Sequence, residues 1–458
     1  MGFISSGEDK VKEGERLFPK QDPGGFTIYI GIDDTDSVKA MCTTYLISKL
    51  ILEFRECDVI GYPRLVRLNP NVPWKTRGNG AISLRLGKGG GKRFLIGEIE
   101  GKKYYGFERG RNVDIENTQK RIKGIIEENA QFQEKNTNPA YVVMKNKPPQ
   151  WLYWRAVRDI VDLHDVIKIL KKYDATFKGY KNRRGLIGAT AAISWRPKDR
   201  THEVIVYRER KRWGTGRRID GKSVIRMDKT FPSTFNNYDF HNNIVAISPN
   251  SPCPVLFGIR GDKPKDLPKA MGTIKSERRD RWILFETNQG TDEHLQIKKI
   301  EKVSRYHSVI TSGEVYSKPK TIEGGHVIFT IIKGNTIDCA AYEPTKEFRA
   351  LIKKLVPKDK VTVYGGVREK PLTINIEKIR IEKLVKSYEK LGNPFCPNCG
   401  KRMKSMGKNA GYRCPSCKAK VGEKEVEQKR VKRDIKKGIY EVPVCARRHL
   451  AKPLKRLN

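Results

Sequence analysis

Two cysteine pairs near the carboxyl end constrain this chain of 458 residues more than any other feature. Cys396 and Cys399 form one Cys-x-x-Cys knuckle, Cys414 and Cys417 form another, and fourteen residues separate the two. Four thiolates at this spacing can surround one ion tetrahedrally, and Zn²⁺ is the ion typical of such sites. Two disulfides or a redox dithiol are the alternatives, but no redox-fold pattern accompanies the cysteines. We therefore predict a structural zinc site.

The second constraint is the charge of the chain. It has 93 Lys and Arg residues against 52 Asp and Glu residues, a formal net charge of +41 at pH 7. Such a surplus repels itself unless a polyanion neutralises it, so we expect a nucleic-acid partner, although a basic surface in a salt-rich cytosol is an alternative. No stretch approaches the roughly 18 apolar residues of a membrane helix, and residues 1–26 lack the apolar region of a secretory signal. We expect a cytoplasmic protein with no membrane contact and see no sign of a protein partner.

The amino-terminal half predicts an α/β domain behind a short extension. Residues 1–25 are rich in Glu, Lys and Gly and predict a flexible extension. Over residues 26–175, a buried strand at 26–32 leads through an acidic turn into a helix at 41–57, whose apolar residues follow helical spacing. The Gly- and Lys-rich stretch at 87–112 predicts an exposed hairpin, which could be a plain surface feature or an RNA contact.

An α+β region follows the first domain. Helices near 116–133 and 155–173 complete the first domain. Residues 176–300 predict an α+β domain of the split βαβ sort, with strands at 185–195, 202–208, 243–248, 255–261 and 282–287 and a helix near 264–275.

The last two regions resemble modules that bind single-stranded nucleic acid. Residues 301–387 contain five short β-runs with one helix near 344–355 after the third, which favours an OB-fold β-barrel over another small barrel. Residues 388–458 hold the cysteine knuckles of a zinc ribbon and a basic tail. Six cations of the tail are predicted to line one helix as an RNA phosphate track, namely Lys429, Arg430, Lys432, Arg433, Lys436 and Lys437.

Three carboxylates crowd the turn after the first strand. Asp33, Asp34 and Asp36 lie within four residues, and ionising them together is costly unless a cation is present. Mg²⁺ with a nucleoside triphosphate is the natural cation. A turn whose Asp and Ser side chains cap the next helix is the structural alternative. Thr43, at the start of the predicted helix, could present an exposed hydroxyl or only cap the helix.

A glycine-rich basic loop is the second candidate site. Its residues are Lys75, Thr76, Arg77, Gly78, Asn79 and Gly80. Backbone amides of such a loop can cradle phosphate while the two cations neutralise it. The Walker spacing is absent, so an ordinary NTPase fold is disfavoured. Arg64 and Arg67 lie upstream and add anion-binding capacity.

Taken together, the sequence motifs resemble those of one family. The chain resembles the archaeal tRNA isoleucine 2-agmatinylcytidine synthetases, the TiaS family, in order from residue 26 to the end. The motifs are GIDDTDS, MCTTYL, PRLVRLNPNVPWKTRGNGA, RRGLIGA, SPNSPCPVLFGIRG, TNQGTDEHL, IEGGHV, CPNCG and VPVCARRHLAKPL. The extension at 1–25 and the stretch at 87–112 depart from the family pattern.

The resemblance implies a multidomain α+β protein with a kinase-like domain, a ferredoxin-like domain, an OB fold and a zinc ribbon. It implies an ATP-dependent ligase that attaches agmatine to the 2-position of the wobble cytidine of an isoleucine tRNA with a CAU anticodon, releasing AMP and pyrophosphate after phosphoryl activation of the cytosine carbonyl. On this pattern the three aspartates bind Mg²⁺ and phosphates, residues 75–80 hold the triphosphate, and Thr43 falls where the family has an autophosphorylated threonine.

The agmatine site is not marked by any motif. Because agmatine carries a guanidinium group, an acidic pocket is expected, and Asp228, Asp239 and Asp292 are the candidates, although each could be an ordinary turn carboxylate. A tRNA-binding protein without catalysis is the alternative function, and a ligase for another amine is a third. The intact acidic turn and phosphate loop favour the ligase.

Overall fold

A computed structural model describes residues 27–113, 115–390, 392–407, 410–422 and 428–457. The extension predicted at 1–25 lies outside the described residues. Within them, the chain forms an eleven-stranded sheet, a closed β-barrel and a small three-stranded sheet, besides two strand pairs. None of the helices in these ranges has the length and apolarity that a membrane span requires.

The first part of the chain surrounds one central strand. Its elements are β1 (Ile28–Asp33), α1 (Leu46–Glu53), β2 (Asp58–Ile60), β3 (Arg64–Arg67), β4 (Gly80–Ile99), β5 (Lys102–Arg111), α2 (Thr118–Asn129), β6 (Ala140–Met144), α3 (Gln150–Arg158), α4 (Leu163–Lys172), β7 (Thr176–Gly179) and α5 (Gly185–Ser194). β4 and β6 pair antiparallel with the two edges of β1, and the side chains on its two faces lie in two core clusters, so every residue of β1 is buried. The predicted strand and the predicted hairpin, formed by β4 and β5, are confirmed.

Helix α5 corrects the prediction of a strand at 185–195. The run GLIGATAAIS is apolar on every side, so it has neither the polar face of a surface helix nor the alternation of a half-buried strand. Gly31 of β1 lets the helix lie close against this strand, since a Cβ atom on Gly31 would lie 2.2 Å from the Ala189 carbonyl oxygen of α5. The predicted helix at 155–173 is two helices, because Asp162 caps the start of α4.

The next region joins the same sheet. Its elements are β8 (Thr201–Arg208), α6 (Gly221–Thr230), β9 (Thr234–Phe235), β10 (Tyr238–Asp239), β11 (Ile244–Val245), β12 (Val255–Gly261), α7 (Leu267–Thr273) and β13 (Arg279–Thr287). β13 pairs parallel with β3 and antiparallel with β8. The strand order is therefore β7-β6-β1-β4-β3-β13-β8-β12-β9, with β2 and β5 beside β4. The two regions share one continuous sheet.

A barrel follows, built from β14 (Leu295–Ile297), β15 (Ser308–Val315), β16 (Lys320–Thr321), β17 (Val327–Lys333), β18 (Asn335–Ala341), α8 (Phe348–Lys353), β19 (Lys360–Arg368) and β20 (Thr373–Lys383). β15 pairs with both β17 and β19, which closes the path β15-β19-β20-β18-β17. Val309, Phe329 and Val363 are among the side chains that fill it. The prediction of five barrel strands with a helix after the third is confirmed.

The carboxyl-terminal region contains β21 (Ser387–Lys390), β22 (Lys404–Ser405), β23 (Tyr412–Arg413), β24 (Lys420–Val421), β25 (Gln428–Val431) and β26 (Gly438–Glu441). The prediction of a cationic helix in this region is wrong. β25 is a strand that pairs with β21, and Arg433 binds the buried Asp359 through both Nη atoms, at 2.7 and 2.6 Å. A segment without an apolar stripe gains little from forming a helix. β26 pairs with β20 of the barrel, and residues 442–457, called here the returning segment, then run back to the large sheet.

A buried carboxyl group lies between α3 and the loop after β13. The hydroxyl of Tyr153 donates to Glu293, and Asn288 donates to that hydroxyl at 2.8 Å. Burial raises the pKa of Glu293 to about 7. The folded chain therefore holds a proton that the unfolded chain, with a Glu pKa of about 4.3, releases earlier.

We expect Glu293→Gln to flatten part of the pH dependence of stability. Glu293 favours folding below its unfolded pKa, and this contribution is lost as the pH rises towards 7. At about pH 8 the glutamine variant should therefore be more stable than wild type by about 3–4 kcal/mol, and at about pH 4 the two should be equal. Urea unfolding at both pH values measures this difference; a constant difference between them would contradict it.

Candidate active site

A cavity of about 1010 Å³ lies between the end of β1, the loop before β4, the β8 and β12 strands and the returning segment. It collects nearly every residue predicted to bind the nucleotide or Mg²⁺, namely Asp33, Asp34, Asp36, Thr43, Arg67, Lys75, Thr76, Arg77, Gly78, Asn79 and Gly80. Arg64 is the exception. It lies on the other face of β3, because strand residues three apart face opposite sides, and donates to Glu286 (3.1 Å) and to the Trp195 carbonyl (2.8 Å).

Two carboxyl groups of the acidic turn are held at the cavity wall in an environment that disfavours their charge. A Cβ atom on Gly188 of α5 would lie 1.9 Å from Oδ2 of Asp33, so only glycine leaves room for this carboxylate. Asp34 has a left-handed φ of 58° and accepts a hydrogen bond from the Asn138 N–H at 3.0 Å. Burial, followed by the charges of Asp34 and Asp36, raises the pKa of Asp33 well above its ordinary range, and burial raises the pKa of Asp34 to about 6. A bound cation would offset this cost.

The third carboxylate has a different role in the structure. Asp36 accepts hydrogen bonds from Nε of Arg77 and from the Thr76 hydroxyl, both at 2.9 Å. Arg77 also donates to the Met41 carbonyl at 2.6 Å and to the Ser251 hydroxyl at 3.1 Å. Asp36 and Arg77 thus tie the basic loop to the acidic turn, so that the loop backbone is fixed beside Asp33 and Asp34.

Lys75 is the second cation of the loop. Its ammonium group donates to the Pro70 carbonyl, and burial, together with the charge of Arg448, lowers the pKa of Lys75 to about 8. An anion bound near Lys75 would stabilise the charged form of this side chain and raise its pKa back towards the ordinary value.

Thr43 is buried rather than exposed. It begins a short 3₁₀ turn, Thr43–Tyr45, that precedes α1, so the helix predicted at 41–57 is shorter than expected. The Thr35 hydroxyl donates to the Thr43 hydroxyl at 3.1 Å. The side chain nevertheless lines the cavity, on the same wall as the acidic turn.

The carboxylates predicted to bind agmatine do not line this cavity. Asp228 accepts from the Asn237 side chain, Asp239 accepts from the backbone N–H groups of Asn242 and Cys445, and Asp292 binds Lys378. Their role in binding agmatine therefore stays a prediction.

Sequence reasoning missed several cavity residues. Glu203 of β8 and Arg260 of β12 form an ion pair at 3.1 Å, and Arg447 and His449 arrive from the returning segment. Single residues far apart in the chain carry no spacing signal. The one hint in the sequence is the VPVCARRHLAKPL run, which contains both residues of the returning segment.

The cysteine knuckles close on one another as predicted. In the part of the chain that the structure describes, these four are the only group that brings three or more potential ligand atoms within 4.8 Å. Sγ of Cys396 lies 3.3 Å from Sγ of Cys417, and the Cys399 and Cys414 sulfurs are 3.4 Å apart. Tetrahedral zinc with bonds of about 2.3 Å separates sulfurs by roughly 3.8 Å, so the set fits one ion after a small expansion.

Comparison with known proteins assigns three regions of the chain to domains of one family. Family models match in three places: the TiaS TCKD domain over residues 29–182, the TiaS FLD domain over 183–294 and the TiaS C-terminal zinc ribbon domain over 393–435. The isoleucine tRNA 2-agmatinylcytidine synthetase TiaS of Methanocaldococcus jannaschii is 44% identical over 441 residues, covering 94% of this chain and 99% of that protein. The protein of the same name from Archaeoglobus fulgidus is 42% identical over 443 residues, covering 94% and 98%.

Solved structures match over the same length. The crystal structure of a complex of TiaS with its isoleucine tRNA and ATP has a TM-score of 0.80 and 39% identity. That of a complex of TiaS with the same tRNA, AMPCPP and agmatine has a TM-score of 0.77 and 37% identity. Each covers 94% of this chain and 98% of the solved chain. The chain belongs to the TiaS family.

Proposed function

We propose that this protein is an ATP-dependent ligase that conjugates agmatine to the 2-position of the wobble cytidine of isoleucine tRNA with a CAU anticodon, forming agmatidine with release of AMP and pyrophosphate. Relatives at more than 40% identity bear the name of this synthetase, and solved relatives hold the tRNA, ATP and agmatine. The observation that carries the proposal is the single cavity that unites the acidic turn with the basic loop.

The basic residues of the cavity and its acidic residues have different roles. Arg77, Lys75 and the amides of residues 75–80 would bind the triphosphate, and Asp33 and Asp34 would hold Mg²⁺, since this ion usually takes one or two carboxylates. Asp36 is left to position the loop. When bound there, Mg²⁺ would neutralise charge on the phosphates. In the activation step the cytosine C2 oxygen attacks ATP, takes up one part of the nucleotide and releases the other. The agmatine amine then attacks C2 and loses a proton, and the C2 oxygen leaves with the part it carries, so that AMP and pyrophosphate are the two products.

The finer assignments extend this proposal. Residues 26–175 form the kinase-like domain and 176–300 the ferredoxin-like domain, and 301–387 form an OB fold, which the strand order of the barrel and the position of α8 support. Residues 388–458 hold the zinc ribbon with structural Zn²⁺. Thr43, beside the acidic turn, is the residue that becomes autophosphorylated. The protein works in the cytoplasm, where its tRNA substrate is found.

The test uses purified protein, Mg²⁺, labelled agmatine and an unmodified isoleucine tRNA transcript with a CAU anticodon. Label should enter the tRNA only with ATP, and Asp33→Asn should abolish incorporation while tRNA binding remains. Tight tRNA binding with neither incorporation nor AMP formation would instead favour a binding protein without catalysis, which the comparisons do not favour. AMP formation without transfer would show that another amine is the substrate.

Loss of the zinc ion should weaken tRNA binding while the rest of the protein stays folded. Cys414→Ser removes one of four thiolates, and small zinc modules depend on their ion for folding. We expect loss of bound zinc and at least tenfold weaker tRNA binding, with ATP binding unchanged. Metal analysis and filter binding measure the two effects, with Cys57→Ser, a cysteine outside the knuckles, as the control. Unchanged zinc content would contradict the assignment.

A further inference from the structure

The returning segment is clamped to the large sheet at the cavity rim. The N–H of Gly290 donates to the carbonyl of His449 at 2.8 Å, and the N–H of Asp292 donates to the carbonyl of Leu450 at 2.9 Å. The N–H of Lys452 donates back to the Asp292 carboxylate at 2.6 Å. These bonds fix the backbone at His449 and just beyond it, so its side chain has a defined place.

That place is directly over the basic loop. A Cβ atom on Gly78 would lie 3.3 Å from Nε2 of His449 and 2.7 Å from Nη1 of Arg67, so the imidazole and the guanidinium meet above this glycine. The imidazole lines the cavity and makes no hydrogen bond with any described residue. A polar ring that is fixed in a cavity without a partner is available to a ligand.

The charges around this ring select an anion. The charge of Arg67, burial and the charge of Arg260 hold the pKa of His449 well below its usual range, so the ring is neutral between two guanidinium groups. Nε of Arg67 is buried without a hydrogen-bond partner among the described residues. Glu203 forms its ion pair with Arg260 and also lies near Arg67, so one carboxylate faces two guanidinium groups. An anion that enters would offset the two guanidinium charges and let the imidazole donate to it.

We propose that His449, delivered by the returning segment, is a phosphate-binding residue of the active site and acts with Arg67 on the polyphosphate of the nucleotide. The inference rests on the proposed function, since it takes the loop at residues 75–80 to hold that polyphosphate. Phosphate groups also occur in the tRNA backbone, and the two sources share the chemistry that this site recognises.

The experiment separates the sources by ligand. Calorimetry with the full-length protein and Mg²⁺ measures the dissociation constants of a non-hydrolysable ATP analogue, pyrophosphate, adenosine and the tRNA transcript. We expect His449→Ala to weaken the ATP analogue and pyrophosphate about tenfold, the size of a charge-assisted hydrogen bond, and to leave adenosine and tRNA unchanged. His449→Gln keeps an N–H donor and should lose less than threefold. His164→Ala, an exposed histidine on α4, is the matched control.

Each other outcome is decisive. Equal losses for adenosine and pyrophosphate would show a merely structural role and overturn the inference, and so would a loss confined to tRNA, because the ring would then bind RNA phosphate. An unchanged pyrophosphate constant in both His449 variants would overturn the inference while leaving the proposed function intact. Failure of the wild-type protein to bind either polyphosphate would overturn both.

Discussion

Gly188→Ala should reduce agmatine incorporation at least about a hundredfold while leaving the protein folded. The new methyl group would lie 1.9 Å from Asp33 Oδ2 and 2.6 Å from Asp33 Cγ, which is far inside contact distance. The carboxylate is the movable partner, whereas the backbone of α5 is packed on β1, so Asp33 has to turn away from the cavity. A displacement of about 1 Å at a reacting centre costs roughly this factor.

The control for this variant is a second helical glycine. Gly124 is exposed in α2 and has no atom within 4 Å of a Cβ placed on it. Gly124→Ala should leave incorporation unchanged and stabilise the protein by about 0.5–1 kcal/mol, because alanine is the better helix former. Equal turnover in wild type and Gly188→Ala would show that Asp33 does not need its observed position.

Arg208→Ala should be the most destabilising single change in the large sheet, at about 3–5 kcal/mol. The Arg208 side chain is fully buried and donates to both carboxylate oxygens of Glu277, at 2.6 and 3.0 Å, and to the Thr215 carbonyl at 2.7 Å. Burial acts to raise the pKa of Glu277, but the arginine holds it below its ordinary value. Removing the guanidinium leaves that buried carboxylate with the Arg218 N–H at 3.0 Å as its remaining hydrogen bond, and without its ion-pair partner. Urea unfolding monitored by circular dichroism measures the loss.

Two comparisons keep this prediction specific. Arg305→Ala removes an ion pair with Glu369 whose arginine is 63% exposed, and the cost should stay within about 1 kcal/mol. Replacing both Arg208 and Glu277 by leucine should recover much of the stability, since no unpaired charge remains. A double variant as unstable as Arg208→Ala would mean that lost packing, rather than the buried charge, dominates.

Local patterns in the sequence were enough to predict much of the candidate site. The acidic turn and the basic loop are short runs whose chemistry is visible in adjacent residues, and the cavity unites them. Arg64 and Arg67 look equivalent in sequence, but strand alternation places only Arg67 in the cavity. Glu203, Arg260 and His449 could not be found this way, because strand pairing and the returning segment bring them in from distant parts of the chain.

The fold was predicted best where periodicity is clean. The barrel strands alternate and their order follows from a common topology, so five strands and one helix were recovered. The sequence predicts a strand in place of helix α5, because a run of small apolar residues has no period that distinguishes a helix from a strand. The prediction of a cationic helix was wrong for a different reason. The spacing of the charges is compatible with one face of a helix, but the segment has no apolar stripe that would pack and stabilise that helix.

The continuous sheet sets a limit on how this enzyme can be divided or recombined. Family models place a boundary between residues 182 and 183, yet α5 lies beyond it and covers β1, and β13 completes the hydrogen bonding of β3. A fragment cut at that boundary would lose the helix that covers β1 and expose an unpaired sheet edge, which is prone to aggregate. A chimaera of two homologues should therefore fold only when residues 27 to about 295 all come from the same parent protein.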